Sequence, residues 1–197
     1  MRRILLWGVL VAVLLAVAVW ALRLRLTAPD LPVLGQVTPF SLTDHRGEAV
    51  TLDDLAGAPW IADFIFTRCG LSCPLMTTRM AELDDERVPP EVRLVSISVD
   101  PQHDTPEVLA EYAAAFSASE RWSFLTGPEE DILELAIESF HLAVDPDPPE
   151  GMASPEEPIV HSTRFVLVDG RGRIRGYYDG MTREGIEMLE RDAAVLD

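Results

Sequence analysis

The stretch IADFIFTRCGLSCPLMTTRM, residues 61–80, decides how the rest of the chain is read. An apolar, β-prone run at 61–66 ends just before Cys69, and a helix-favouring stretch begins just after Cys73. These are the chain's 2 cysteines, so both lie on the turn between a buried strand and a helix. Sulfurs four positions apart fall on the same side of a helical turn. They can close a disulfide or together hold one soft metal ion. Pro74 is expected to open the helix, which runs to about residue 87. Its missing N–H has no helical partner there.

Outward from that turn, strands and helices alternate. Upstream, residues 40–52 read as a β-hairpin around Asp44, His45, Arg46 and Gly47. Downstream, 92–99 is a second buried strand. Thr105 caps the next helix, with Pro106 in its first turn and Glu107 near its positive end. A short strand at 123–125 follows. A helix then runs from Gly127 and Pro128 to about His141, with Ile132, Leu135, Ala136, Ser139 and Phe140 at helical spacing. Strands at 165–168 and 174–178 flank a turn at 169–172, and a helix at 182–196 closes the chain. The pattern predicts an α/β layered domain. One long acidic, Pro-rich loop at 143–160 interrupts it and delivers His161. Loops of that length inside compact domains are often functional.

Ahead of the domain, residues 4–22 carry no charge and span roughly 28 Å as a helix, enough to cross a bilayer core. Arg2 and Arg3 precede this stretch, and Arg23 and Arg25 follow it. Ala16-Val17-Ala18 resembles a signal-cleavage site, but the apolar run continues to Leu22, which favours an uncleaved anchor. The free amino group adds a third positive charge to the short N-terminus, which is expected to stay in the cytoplasm with the body outside. The expected organisation is a transmembrane anchor at 1–25, a linker at 26–37 and a folded domain at 38–197. The chain carries a net charge of −17, and the body after Arg25, with 12 basic and 33 acidic residues, carries −21. Such a charge argues against nucleic-acid binding and against resting on anionic lipid. It suits a basic partner, or solubility alone.

A purely structural disulfide is a poor account of the cysteine spacing. Closing a five-residue ring contributes only about 2 kcal/mol by chain entropy, against about 4.7 for a loop of 100 residues. Redox or metal chemistry explains it better. At a helix start, the unpaired N–H groups and the dipole are expected to depress at least one thiol pKa, with Arg68 adding to this if it folds inward. Two thiolates bind Cu(I) or Zn(II), and soft sulfur favours Cu(I). An added imidazole gives a Cys₂His set that also holds Cu(II). Among the 4 histidines, His45 reads as a turn residue, His103 as a loop residue and His141 as a helix-end residue. His161, just before a strand at the end of the long loop, is the favoured third ligand.

With these residues laid out, the chain resembles the Sco (SenC-type) copper chaperones of cytochrome oxidase assembly over roughly residues 38–190. The resemblance rests on ordered segments: Phe66-Thr67-Arg68-Cys69 through Cys73-Pro74; residues 96–101 followed by Asp104-Thr105-Pro106; residues 124–127; and Val160-His161-Ser162-Thr163 running into 165–169. It implies a thioredoxin-like fold behind one transmembrane helix. Cys69 and Cys73 match the copper-binding, redox-active pair, and His161 matches the third copper ligand. It further implies delivery of copper to the dinuclear CuA site of cytochrome c oxidase subunit II or another copper acceptor, reduction of that site's cysteines, or both. The expected location is the bacterial cytoplasmic membrane, single-pass, with the domain on the extracytoplasmic side.

Two departures stand out. Gly70-Leu71-Ser72 replaces the common Pro-Asp-Val between the cysteines, and Val160 replaces the Asp that often precedes the histidine. The main alternative is an extracytoplasmic thiol–disulfide oxidoreductase using the same pair. A binding-only role in copper sensing is another. A peroxiredoxin is excluded, because position 66 is Phe where that chemistry needs Thr or Ser, and no proline lies between Trp60 and the cysteines.

Overall fold

The computed structural model describes residues 7, 13–17, 31–70, 72–149, 152, 154 and 159–196. The chain divides into two units, Met1–Leu31 and Pro32–Asp197. In the first, Trp7 and residues 13–17 are helical. Most of the expected 4–22 span lies outside the described residues. Among the described residues, no helix is long and apolar enough to cross a membrane.

The second unit opens with β1 (Gly35–Gln36), β2 (Ser41–Asp44), β3 (Ala49–Thr51) and a one-turn helix α1 (Leu52–Leu55). Next come β4 (Trp60–Ile65), α2 (Ser72–Glu82), β5 (Arg93–Ser98), α3 (Pro106–Ala115) and β6 (Trp122–Thr126). Then follow α4 (Glu129–Glu134), the short strands β7 (Val144–Asp145) and β8 (Val160–His161), β9 (Arg164–Val168), β10 (Arg173–Asp179) and α5 (Arg183–Ala193). Both α2 and α4 continue into wider π-helical turns, Leu83–Arg87 and Leu135–Ser139.

Eight strands form one sheet in the order β1-β10-β9-β4-β5-β6-β2-β3, and β7 pairs with β8 separately. The centre is parallel, β4 to β5 and β5 to β6, while β9 runs antiparallel on the other side of β4. All six residues of β4 are buried. That is why its sequence reads as a continuous run rather than an alternation: a central strand covered on both faces has no solvent side. On one face Trp60 and Phe64 meet Phe140 edge-on, with ring centroids 5.9 and 5.4 Å apart. On the other, Phe124 of β6 meets Tyr112 of α3 at 5.9 Å. α2 is amphipathic, burying Cys73, Met76, Thr77 and Met80 along one stripe.

The local signals hold. Thr105 and Thr182 cap α3 and α5, their hydroxyls accepting from the backbone N–H groups of Val108 and Gly185. Two elements differ from expectation. Residues 34–37, read as linker, lie along β10: the Leu34 N–H donates to the Ile174 carbonyl and the Val37 N–H to that of Gly172, both at 2.8 Å. The hairpin ends at Thr51, because a reciprocal capping box between Thr51 and Asp54 starts α1 there.

Candidate metal centre

The parallel centre of the sheet sets where the site lies. The turn after β4 and the loop after β5 leave at the same sheet edge, where ligands of α/β sheets gather. β9 lies against β4 with Trp60 opposite Val168 and Ala62 opposite Val166. Followed upstream, that antiparallel register returns the chain to the end of β4. His161 therefore arrives beside the cysteines from the far side of the sequence. It does not ride on a loose loop: Val144 pairs with His161 and Asp145 with Val160, closing the base of the acidic loop as a short ladder.

Cys69 Sγ, Cys73 Sγ and a ring nitrogen of His161 lie within 4.8 Å of one another. His161 Nε2 is 3.2 Å from Cys73 Sγ. Cys69 is 5% exposed and Cys73 0%, and no disulfide joins them. Each sulfur receives a backbone N–H, Cys69 from Cys73 at 3.4 Å and Cys73 from Phe66 at 3.5 Å. The imidazole stands edge-on to Phe66, with centroids 5.5 Å apart. Its Nδ1 is 3.1 Å from the Ser162 carbonyl. A carbonyl only accepts, so Nδ1 carries the ring proton and Nε2 presents its lone pair toward the sulfurs. Fixing the tautomer through the far nitrogen is how ligating histidines are oriented.

Two aspartates from the loop after β5 hold the cysteine turn. The carboxylate of Asp104, itself 0% exposed, accepts from the Thr67 N–H at 3.0 Å, the Thr67 hydroxyl at 2.5 Å and the Ser98 hydroxyl at 2.5 Å. Asp100 accepts from Nε and a terminal nitrogen of Arg68 at 2.8 and 2.6 Å. Below the turn, the Thr77 hydroxyl donates to the Cys73 carbonyl and lies 2.9 Å from the Tyr112 hydroxyl, tying α2 to α3.

Two features of the turn bear on the expected electrostatics. At Cys73 burial pushes the thiol well above its ordinary value, and the Phe66 N–H opposes this only in part. Although Cys73 is the second residue of α2, it lies where desolvation of the anion outweighs the helix dipole. Arg68 does not fold inward; it is committed to Asp100. Sequence reasoning also missed Asp63 in the middle of β4. It is 0% exposed and neither carboxylate oxygen has a hydrogen-bond partner. Burial pushes its carboxyl up to about 7, against a small opposing effect of Ser96.

The other histidines stay apart from the centre among the described residues. His45 accepts at Nδ1 from the Phe124 N–H and stitches the β2–β3 hairpin to β6. His103 is exposed in the loop after β5, and His141 ends the α4 segment at φ 52°.

Two soft sulfurs and one neutral imidazole suit Cu(I) or Zn(II), and the nitrogen extends the set to Cu(II). A strand–turn–helix carrying both cysteines, with an imidazole returned to it by an antiparallel strand, defines a thioredoxin-like domain with a two-cysteine, one-imidazole centre. A model of the SCO1/SenC family matches residues 34–196, and the chain belongs to that family. It is 38% identical over 156 residues to a SCO1 protein homolog of Bacillus subtilis, covering 76% of this chain and 77% of that one. It is also similar to BsSco, a member of the Sco family of cytochrome c oxidase assembly proteins in which a disulfide switch was identified. There the TM-score is 0.69 at 34% identity, over 86% of this chain and 99% of that one. The copper-bound ScoI of Bradyrhizobium japonicum superposes with a TM-score of 0.65 at 27% identity, over 79% and 98% of the two chains.

Proposed function

We propose that this protein is a copper metallochaperone that carries one copper ion on Cys69, Cys73 and His161 and passes it to the CuA site of cytochrome c oxidase subunit II. The observation that carries the reading is the convergence of two sulfurs and one imidazole nitrogen within 4.8 Å. Copper in the similar ScoI structure and the assembly role of the similar BsSco support it. Copper is cargo here, and the chain's residues hold and release it. Cys73, the deeper sulfur, anchors the ion against α2. Cys69, at the rim, is the first to meet an acceptor's thiolate. Exchange proceeds by a new sulfur joining before an old one leaves, so the ion is never bare. The uncharged run at 4–22 supports the further reading that a single-pass anchor holds the domain on the extracytoplasmic side of a bacterial cytoplasmic membrane.

A thiol–disulfide oxidoreductase would use the same sulfurs but has no need of an imidazole 3.2 Å from Cys73. The test is anaerobic titration of the full reduced chain, in detergent, with Cu(I) and with Cu(II), followed by addition of a copper-free subunit II fragment. One ion per chain is expected, and two loaded chains, one carrying Cu(I) and one Cu(II), should together fill the dinuclear site and give the CuA absorption in the fragment. Loss of fragment disulfides without copper transfer would assign the protein to reduction instead.

A further inference from the structure

A fourth side chain reaches into the ring of ligands. Ser72, the buried first residue of α2, places its Oγ 3.4 Å from His161 Nε2 and 3.7 Å from Cys69 Sγ. The second distance is long for oxygen but within the range of hydroxyl–sulfur contacts. Because the Ser162 carbonyl holds the ring proton on Nδ1, Nε2 offers only a lone pair. A hydroxyl facing that lone pair can only donate to it, sharing it with the Cys73 thiol 3.2 Å away. A serine proton rotates freely about its C–O bond, and the Cys69 sulfur is the second acceptor within reach of the same oxygen.

We infer that Ser72 is a specificity-determining residue of this centre, its hydroxyl donating to His161 Nε2 when no metal is bound and to the Cys69 sulfur once copper occupies that lone pair. The inference rests on the reading of the site as a copper centre. Two consequences follow from one O–H. In the metal-free protein it shares with the Cys73 thiol the lone pair that copper needs, so loading through the imidazole competes with hydrogen bonds. In the loaded protein it draws electron density from the Cys69 thiolate. Cu(II) depends on sulfur donation more than Cu(I), and hydrogen bonding around a cysteine sulfur is one of the levers that set a copper site's redox poise. Ser72 therefore shifts the centre toward Cu(I), the form that exchanges between thiolates.

The test compares the full chain with Ser72→Ala and Ser72→Thr. Cu(I) and Cu(II) affinities are measured against competing chelators, the sulfur-to-Cu(II) absorption is recorded, and the metal-free His161 Nε2 resonance is followed by nitrogen NMR. Thermal unfolding checks that each variant is folded. Ser72→Ala is expected to raise the ratio of Cu(II) to Cu(I) affinity roughly tenfold, the lower end of what losing a hydrogen-bond partner of a ligand does. It should also move the sulfur-to-copper band and shift the Nε2 resonance. Ser72→Thr, which keeps the hydroxyl, should hold all three near the parent values. An unchanged ratio, band and resonance in Ser72→Ala, with the parent still binding one copper, overturns the inference and leaves the copper reading standing. Absence of stoichiometric copper binding by the parent removes both.

Discussion

The two halves of the centre are built differently. The cysteine half is pinned from below and from the side: Asp104 gathers three donors, two of them from Thr67, Asp100 holds Arg68, and each sulfur takes a backbone N–H. The histidine half rests on a two-residue ladder, an edge-on contact with Phe66, one carbonyl and the Ser72 and Cys73 side chains facing Nε2. Such an arrangement lets a site keep two ligands rigid while the third adjusts to the oxidation state of the ion. Cu(I) needs little beyond the two sulfurs, and Cu(II) gains from the nitrogen. Rigidity on one side and compliance on the other is a form of preorganisation suited to cargo that must also leave.

The largest effect should come from the pinned half. Cys73→Ala is expected to lower Cu(I) affinity by well over the roughly 100-fold that losing an outer-shell partner costs. Competition with a Cu(I) chelator measures it, and retention of parent affinity would show that the ion sits elsewhere. Beneath the same half, Asp63 gives a pH-dependent prediction. Its carboxyl titrates near 7 in the folded protein and at 3.8 in the unfolded chain, so the folded state holds the proton more tightly. Stability from this group is therefore greatest below about pH 4 and falls as pH rises to about 7. At about 1.36 kcal/mol per unit, the penalty at pH 8 is about 4 kcal/mol. Asp63→Asn should be more stable than the parent by that order at pH 8 and nearly equal to it at pH 4. Urea unfolding at both values tests this, and a gain that does not change with pH would mean the carboxyl is not the cause.

The pinned half was also the more legible one. The strand, turn and helix around Cys69 and Cys73 follow from local patterning, as does the cap at Thr105. The register of β9 against β4 is not local, and it is what carries His161 to the sulfurs; the residues around His161 say only that a strand follows. Residues 34–37 show the same limit, since Gly35 and Gln36 have no strand signal of their own and pair because β10 offers a free edge. Asp63 was hidden because a carboxylate inside an apolar run looks like a point of exposure until both faces of the strand are seen to be covered. The raised Cys73 thiol was hidden for a related reason: helix-end electrostatics can be read from sequence position, but depth cannot.

A smaller effect separates support from ligation within the pinned half. Asp104→Ala leaves one buried and two part-buried donors without their acceptor, for about 3 kcal/mol of stability at the low end of the 1–3 kcal/mol that one unsatisfied group costs. Asp104→Asn should recover most of it, because the amide oxygen can accept from the Thr67 N–H and the Ser98 hydroxyl while the amide nitrogen donates to a rotated Thr67 hydroxyl. Chemical denaturation ranks the three proteins, and an Asn variant as unstable as Ala would mean the charge, rather than the bonds, holds the turn.

The compliant half should give the smallest change in stability and the most selective change in binding. His161 is half-buried and its backbone pairing with Val144 does not depend on the ring, so His161→Ala should cost about 1–2 kcal/mol of folding free energy, through lost contact with Phe66 and lost hydrogen bonding at Nε2. Its Cu(I) affinity should fall by less than about tenfold, because two thiolates already satisfy that ion, and its Cu(II) affinity by roughly 10–100-fold. Parallel titrations with the two ions read the split directly. Equal losses for both would place the imidazole on the same footing as the sulfurs, and the contrast between a rigid and an adjustable half would no longer describe this centre.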